Sequence, residues 1–352
     1  MVGVATKNLK NFFKRKDKKA TTPVLRKVED DKTGEVKAED QQNDALYIYP
    51  VEIGTPPQIM NLHSDTGSSD LWLWSTELDR ETKVAGIKSK HNVFDAKASK
   101  TFKKMNGASW RIRYGDGSTA SGIVGTDNVT LGGLCIESQA IELASKLSPQ
   151  FTSGAGDGLL GLEFGHINTV KPKKVAPPVE QMILQSDIPS SQELFTCYLG
   201  SWRGENDVDH GESLYTFGYI DEQVLSRCGV SEPHYAPIDP SKGLWQFSSP
   251  TATLNGETIQ RPPGNTAIAD TGTTLALVDD ALCEKIYSTI PGAVYDKAHQ
   301  GWTFPIGTRI SDLPTLALAV GDKEFEVQKK RFWICEMWGG HAVRGDTITW
   351  KE

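Results

Sequence analysis

Short runs that alternate apolar and polar residues dominate the chain from Leu46 onward. Leu46-Tyr47-Ile48-Tyr49 and Val51-Glu52-Ile53 read as strand, and Gly54-Thr55-Pro56-Pro57 reads as a turn. Gln58 to Leu62 then resumes a strand that leads straight into Asp65. Trp110, Ile112 and Tyr114 alternate with Ser109, Arg111 and Arg113 and break at Gly115-Asp116-Gly117, which predicts a β-hairpin with an Asp-Gly tip. Leu316, Leu318 and Val320, a Gly321-Asp322 turn, then Phe325 and Val327 predict another hairpin. Only Asp279 to Ile290 has the pattern of a helix of any length, stopped by Pro291-Gly292. The expected fold class is all-β.

The first 43 residues break the pattern. They hold a basic run, Lys14-Arg15-Lys16-Asp17-Lys18-Lys19, and a polar mixed-charge stretch through Glu39, Asp40, Gln41 and Gln42. The expectation is a solvated leader, with order beginning near Leu46. A nuclear or membrane-surface address, helped by Leu9, Phe12 and Phe13, is the competing reading.

The chain has 352 residues, 38% of them hydrophobic, enough for two domains with a core each. A net charge of -7 gives no reason to expect a nucleic-acid partner. No run approaches 18 apolar residues, so no membrane span is expected, and no apolar segment like the core of a secretory signal opens the chain. Cys135, Cys197, Cys228, Cys283 and Cys335 are odd in number and form no Cys-x-x-Cys pair. Buried or free thiols are expected, and neither a metal nor a cofactor.

One motif occurs twice: Asp65-Thr66-Gly67-Ser68-Ser69 and Asp270-Thr271-Gly272-Thr273-Thr274. A lone copy would pass for a turn with an Asx-type bond, but duplication argues for two related halves that each deliver a carboxylate. If the loops face each other, like charges at contact force Asp65 and Asp270 to share one proton. The pair then holds an acid and a base at once, as activation of water against a peptide bond requires. Gly67 and Gly272 let backbone approach each carboxylate. Thr66 and Thr271 can cross-bond the loops, and Ser68 and Thr273 can donate to the outer carboxylate oxygens.

On these residues, and on Ile53-Gly54-Thr55-Pro56-Pro57-Gln58, Asp65 through Trp72, Tyr114 to Ser118, Asp157 to Leu162 and Ala269 to Thr274, the chain resembles the pepsin-like aspartic endopeptidases of fungi from Leu46 to Asp346. The resemblance implies a bilobal fold of two pseudo-twofold-related β lobes with a cleft between them. It implies an endopeptidase active at acidic pH on peptide or protein substrates, working as a monomer. Tyr114 resembles the flap tyrosine, Trp72 the indole that bonds it, and Gly115 and Asp116 the flap tip. Asp116 is either a simple turn former or the acid that admits a basic substrate side chain. Residues 1–43 would be a propeptide, 44–228 the first lobe and 229–352 the second. The same resemblance points to a secreted or vacuolar protein, whereas the chain as it starts points to an intracellular one.

Three departures stand out. Leu159-Leu160-Gly161, 94 positions after Asp65, resembles the segment that threads beneath the active-site loop; its counterpart would fall near position 364, so the second lobe is expected to lack its last strands. His63 and Ser64 stand where an acidic or aliphatic residue and then a bulky aromatic are usual, and an inward-pointing Ser64 would leave a void, at a cost on the order of 3–5 kcal/mol, and a hydroxyl needing a partner. Cys335 has Ile306 where its disulfide partner would stand. These departures motivate the alternative of an inactive pepsin-fold binding or inhibitor protein.

Overall fold

The computed structural model describes residues 32–41, 46–200, 211–297 and 301–329, and the backbone of 26–27, 333–336, 343–345 and 347–349. The basic run of the leader and the side chain of Cys335 lie outside the described residues.

Alternating residues of the first part build β1 (Arg26–Lys27), β2 (Gly34–Asp40), β3 (Tyr47–Ile53), β4 (Gln58–Asp65), β5 (Leu71–Leu73) and β6 (Lys103–Arg113). They continue in β7 (Thr119–Leu131), β8 (Leu134–Leu147), β9 (Gly158–Gly161), β10 (Phe195–Leu199) and β11 (Ser213–Phe217). All eleven join one sheet, ordered β10-β11-β2-β3-β4-β9-β5-β8-β7-β6 with β1 beside β2. Its inner face packs Tyr49, Val51, Leu62, Leu73, Trp74, Val124, Leu143 and Phe217, each at most 1% exposed, into the larger core. The β6–β7 pair is the expected hairpin, with Arg113 opposite Thr119.

The second part holds β12 (Gln246–Ser248), β13 (Thr251–Leu254), β14 (Glu257–Gln260), β15 (Thr266–Ile268), β16 (Ala276–Val278), β17 (Val294–Asp296) and β18 (Gly301–Phe304). After these come β19 (Leu316–Val320), β20 (Lys323–Val327), β21 (Trp333–Glu336), β22 (Val343–Gly345) and β23 (Thr347–Thr349). They form small sheets over a separate apolar cluster centred on Leu282, Cys283, Ile286, Tyr287 and Phe304. The two clusters fall on either side of residue 228. β19 and β20 pair as predicted, with Leu316 opposite Val327.

Two expectations need correction. The solvated leader does not run to residue 43, because β2 is a strand lying between β11 and β3, with Val36 fully buried. Its alternation Gly34, Val36, Ala38 supplies the buried face. Nor is the 279–290 segment the only helix of length. α1 (Arg80–Lys88), α2 (Pro149–Ser153), α3 (Pro178–Gln185) and α4 (Glu222–Arg227) precede α5 (Asp280–Ser288). α1 is as long as α5 and starts at an Asp79 cap that accepts from the Thr82 amide. Its apolar Val84 and Ile87 are 44% and 65% exposed, so it shows no amphipathic stripe.

Among the described cysteines, Cys135, Cys197 and Cys283 are free thiols. No described helix is long and apolar enough to cross a membrane. Among the described residues no cluster of three or more His, Cys, Asp or Glu could hold a metal ion.

Candidate active site

β4 delivers Asp65 at its last residue, and the loop that follows is gripped from below by β9. That strand runs parallel to β4, with Ser64 opposite Leu160 and Asp65 opposite Gly161, and antiparallel to β5. The Leu162 amide donates to Asp65 O (2.8 Å), and the Gly161 amide to Asp70 O (3.0 Å). A Cβ on Gly161 would meet backbone of Ser68, Ser69 and Asp70 at 2.6 Å, so the threading needs glycine.

The two Asp-Thr-Gly loops have the same internal bonds. Asp65 Oδ1 accepts from the Gly67 amide (2.8 Å) and Oδ2 from Ser68 Oγ (2.5 Å). Asp270 Oδ1 accepts from the Gly272 amide (2.8 Å) and Oδ2 from Thr273 Oγ1 (2.5 Å). The loops are also cross-bonded. The Thr66 amide donates to Thr271 Oγ1 (3.1 Å) and the Thr271 amide to Thr66 Oγ1 (2.8 Å). Thr66 Oγ1 then donates to Ala269 O (2.8 Å), and Thr271 Oγ1 to Ser64 O (3.1 Å), the carbonyls preceding the two acids. Each hydroxyl therefore both donates and accepts, which fixes its rotor and locks one loop to the other.

A Cβ on Gly67 would meet the Asp270 carboxyl at 2.6 Å, and one on Gly272 would clash with the Asp65 carboxyl, so each acid lies against the other's loop. Burial first, and then the Asp270 charge, holds the Asp65 carboxyl above the usual carboxylate range, outweighing the Ser68 and Gly67 donors. The surroundings differ, however: Asp65 is 5% exposed, while Gly272, Thr273 and Thr274 are exposed. β16 pairs in parallel with β23 as β5 does with β8, but no described strand stands by Asp270 where β9 stands by Asp65.

Trp72 Nε1 donates to the Tyr114 hydroxyl (2.8 Å). Phe151, which the sequence pattern did not single out, packs edge-on to both rings at 4.9 and 5.9 Å. At the tip, Gly115 and Asp116 are exposed, and Asp116 Oδ1 accepts from the amide (2.9 Å) and hydroxyl (2.7 Å) of Ser118. That closes the turn.

Ser64 is fully buried. Its hydroxyl faces the phenols of Tyr49 and Tyr215, whose rings meet at 5.2 Å and 45°. None of the three hydroxyls completes a hydrogen bond, and burial pushes both phenols above their ordinary range.

Two cross-bonded loops that each present one carboxyl to the other define the class of aspartic peptide hydrolases. Residues 46–341 match the family model of eukaryotic aspartyl proteases, and the chain belongs to that family. It is 39% identical over 289 residues to aspergillopepsin-1 of Aspergillus flavus, covering 82% of this chain and 64% of the relative. It is 38% identical over 292 residues to penicillopepsin-1 of Penicillium rubens (82% and 66%). With the aspartic protease pepA of Arthroderma gypseum it shares 36% identity over 312 residues (85% and 70%). The chain thus spans about two thirds of the length of the curated relatives it matches.

Proposed function

We propose that the protein is an aspartic endopeptidase that hydrolyses peptide bonds at acidic pH, with Asp65 and Asp270 as its catalytic pair. The observation that carries this reading is the reciprocal bonding of the Thr66 and Thr271 loops, which holds the two carboxyls against each other. At acidic pH the pair keeps one proton. A water bound between them gives a proton to the ionised oxygen and attacks the scissile carbonyl, while the protonated partner donates to the carbonyl oxygen. The tetrahedral diol forms without a covalent link to the enzyme; one carboxyl then gives its proton to the leaving nitrogen while the other takes one from a diol hydroxyl, so the C–N bond breaks and a carbonyl re-forms. Glycine and hydroxyl donors on the outer oxygens hold both carboxyls in place through the cycle.

Tyr114, Gly115 and Asp116 would close over an extended peptide, with Trp72 holding the Tyr114 hydroxyl. Two lobes dividing near residue 228, and a monomer acting on peptide or protein substrates, complete the reading. It is tested with denatured haemoglobin or casein between pH 3 and 5. The reading expects cleavage and one-to-one inhibition by a statine-type transition-state analogue. A folded protein that neither cleaves nor binds the analogue would defeat it.

A further inference from the structure

Glu163 follows the β9 segment and is 2% exposed, although no cation pairs with it among the described residues. Its backbone already belongs to the Asp65 loop, since its amide donates to Ser68 O (2.9 Å). Its side chain reaches the other way. Oε2 accepts from the Trp245 amide (3.0 Å) and Oε1 from the Phe164 amide (3.2 Å). Trp245 O in turn accepts from the amide of Ala269 (3.1 Å), the residue directly before Asp270. Trp245 Nε1 donates to Leu162 O (3.0 Å), and its ring lies 4.5 Å from that of Phe164.

We propose that Glu163 is a positioning residue of the active centre, whose carboxylate ties the Asp65 loop to the strand that enters Asp270. The connection runs Ser68, Glu163, Trp245, Ala269, Asp270, and the Glu163 side chain is its one link made by a flexible group. A buried carboxylate is costly unless its acceptors are used, and both of its oxygens accept backbone amides here. The Thr66–Thr271 bonds hold the tips of the two loops together, and the Glu163 tie holds their bases, so the separation of the two acids rests on both.

The link is also titratable. The charged groups acting on it are Asp65 from β4 and Asp270 from the loop after β15, while the 243–246 segment presents only the Trp245 amide. Burial chiefly, with those two charges, pushes Glu163 up to about 7. Below that it adds no charge beside the pair; above it, a third negative charge makes the pair hold its proton to higher pH.

The inference rests on the endopeptidase reading, and its test separates the two. Kinetics on an uncharged peptide from pH 3 to 9, a range that spans the titration of Glu163, are compared for wild type, Glu163→Ala and Glu163→Gln, with amide exchange measured alongside. Glu163→Ala removes the carboxyl's bonds and leaves Trp245 Nε1–Leu162 O as the remaining direct bond between the two segments, so kcat falls about tenfold while KM stays within about threefold. Glu163→Gln keeps one acceptor and removes the charge. Its kcat at pH 4 stays within about threefold of wild type, and the alkaline limb of its profile moves to lower pH by about half a unit. Trp245 and Ala269 amides exchange at least about tenfold faster in Glu163→Ala than in Glu163→Gln. Wild-type kcat in folded Glu163→Ala, a loss confined to KM, or an unmoved limb in Glu163→Gln would overturn the proposal. Should Glu163→Ala fail to fold, the Glu163→Gln limb decides. A wild type without activity sinks the endopeptidase reading alone, and amide exchange still judges the tie.

Discussion

Gly67→Ala probes how closely the two acids must meet. A Cβ at Gly67 would lie 2.6 Å from Asp270 Oδ1 and 2.7 Å from its Cγ, whereas ordinary contact begins at 3.4 Å. The Asp270 carboxyl must therefore retreat by roughly 0.8 Å. It cannot simply rotate away, because the Gly272 amide and Thr273 Oγ1 hold its two oxygens. A displacement near 1 Å in a reacting group costs about 10²-fold in rate, or about 2.7 kcal/mol in the barrier. The prediction is a kcat lowered by about 30- to 100-fold on a peptide at pH 4, with the melting temperature changed by only a few degrees. Gly307→Ala is the control, since a Cβ there meets nothing within 4 Å, and it should match wild type. If Gly67→Ala turns over at the wild-type rate while remaining folded, the two carboxyls do not need the contact described and the reasoning fails.

Ser64→Phe, the residue size first expected there, should destabilise the fold by about 1–3 kcal/mol, because Ser64 is fully buried beside Tyr49 and Tyr215. Adding Tyr49→Ala should recover part of that loss in urea unfolding, and a stabilising single variant would contradict the packing. Burial lowers the pKa of His63 to about 4. Its stability contribution is thus full above about 6.5 and lost as pH falls toward 4, and His63→Gln should narrow the pH 7 to pH 4 stability gap by on the order of 2 kcal/mol. Glu142 carries the opposite sign, since burial first and then Asp70 raise it. Its contribution is full below about 4.5 and lost as pH rises, so Glu142→Gln should flatten the decline toward neutral pH in the same unfolding series. Trp72→Phe removes the 2.8 Å bond to Tyr114 and should cost about 1 kcal/mol, roughly fivefold in kcat/KM; an unchanged value would detach that bond from catalysis.

The parts of the site that the sequence made legible are those whose signal is local. The Asp65 and Asp270 pentads, the Tyr114 hairpin and the Leu159-Leu160-Gly161 thread each occupy a few consecutive residues, and their bonds run within those residues or between two copies of one motif. What escaped depends on partners far along the chain. β2 hides its Gly34, Val36, Ala38 face among Glu35, Lys37 and Glu39, and becomes a strand only by pairing with β11, whose Tyr215 stands opposite Val36. Ser64 reads as a small residue in a bulky position, and nothing local announces that Tyr49 and Tyr215 stand beside it. Glu163 is an ordinary acid after an apolar thread until Trp245, 82 positions later, brings its amide to the carboxylate. α1 was invisible because a helix that leaves Val84 and Ile87 in water carries no periodic pattern.

The central claim is that hydrolysis needs both carboxyls, one from each loop. The most direct measurement is kcat/KM at pH 4 for Asp65→Asn and Asp270→Asn, purified and shown to be folded. Loss of at least about three orders of magnitude in each is predicted, since neither acid alone supplies proton donor and acceptor together. Turnover at the wild-type rate in either variant would contradict it.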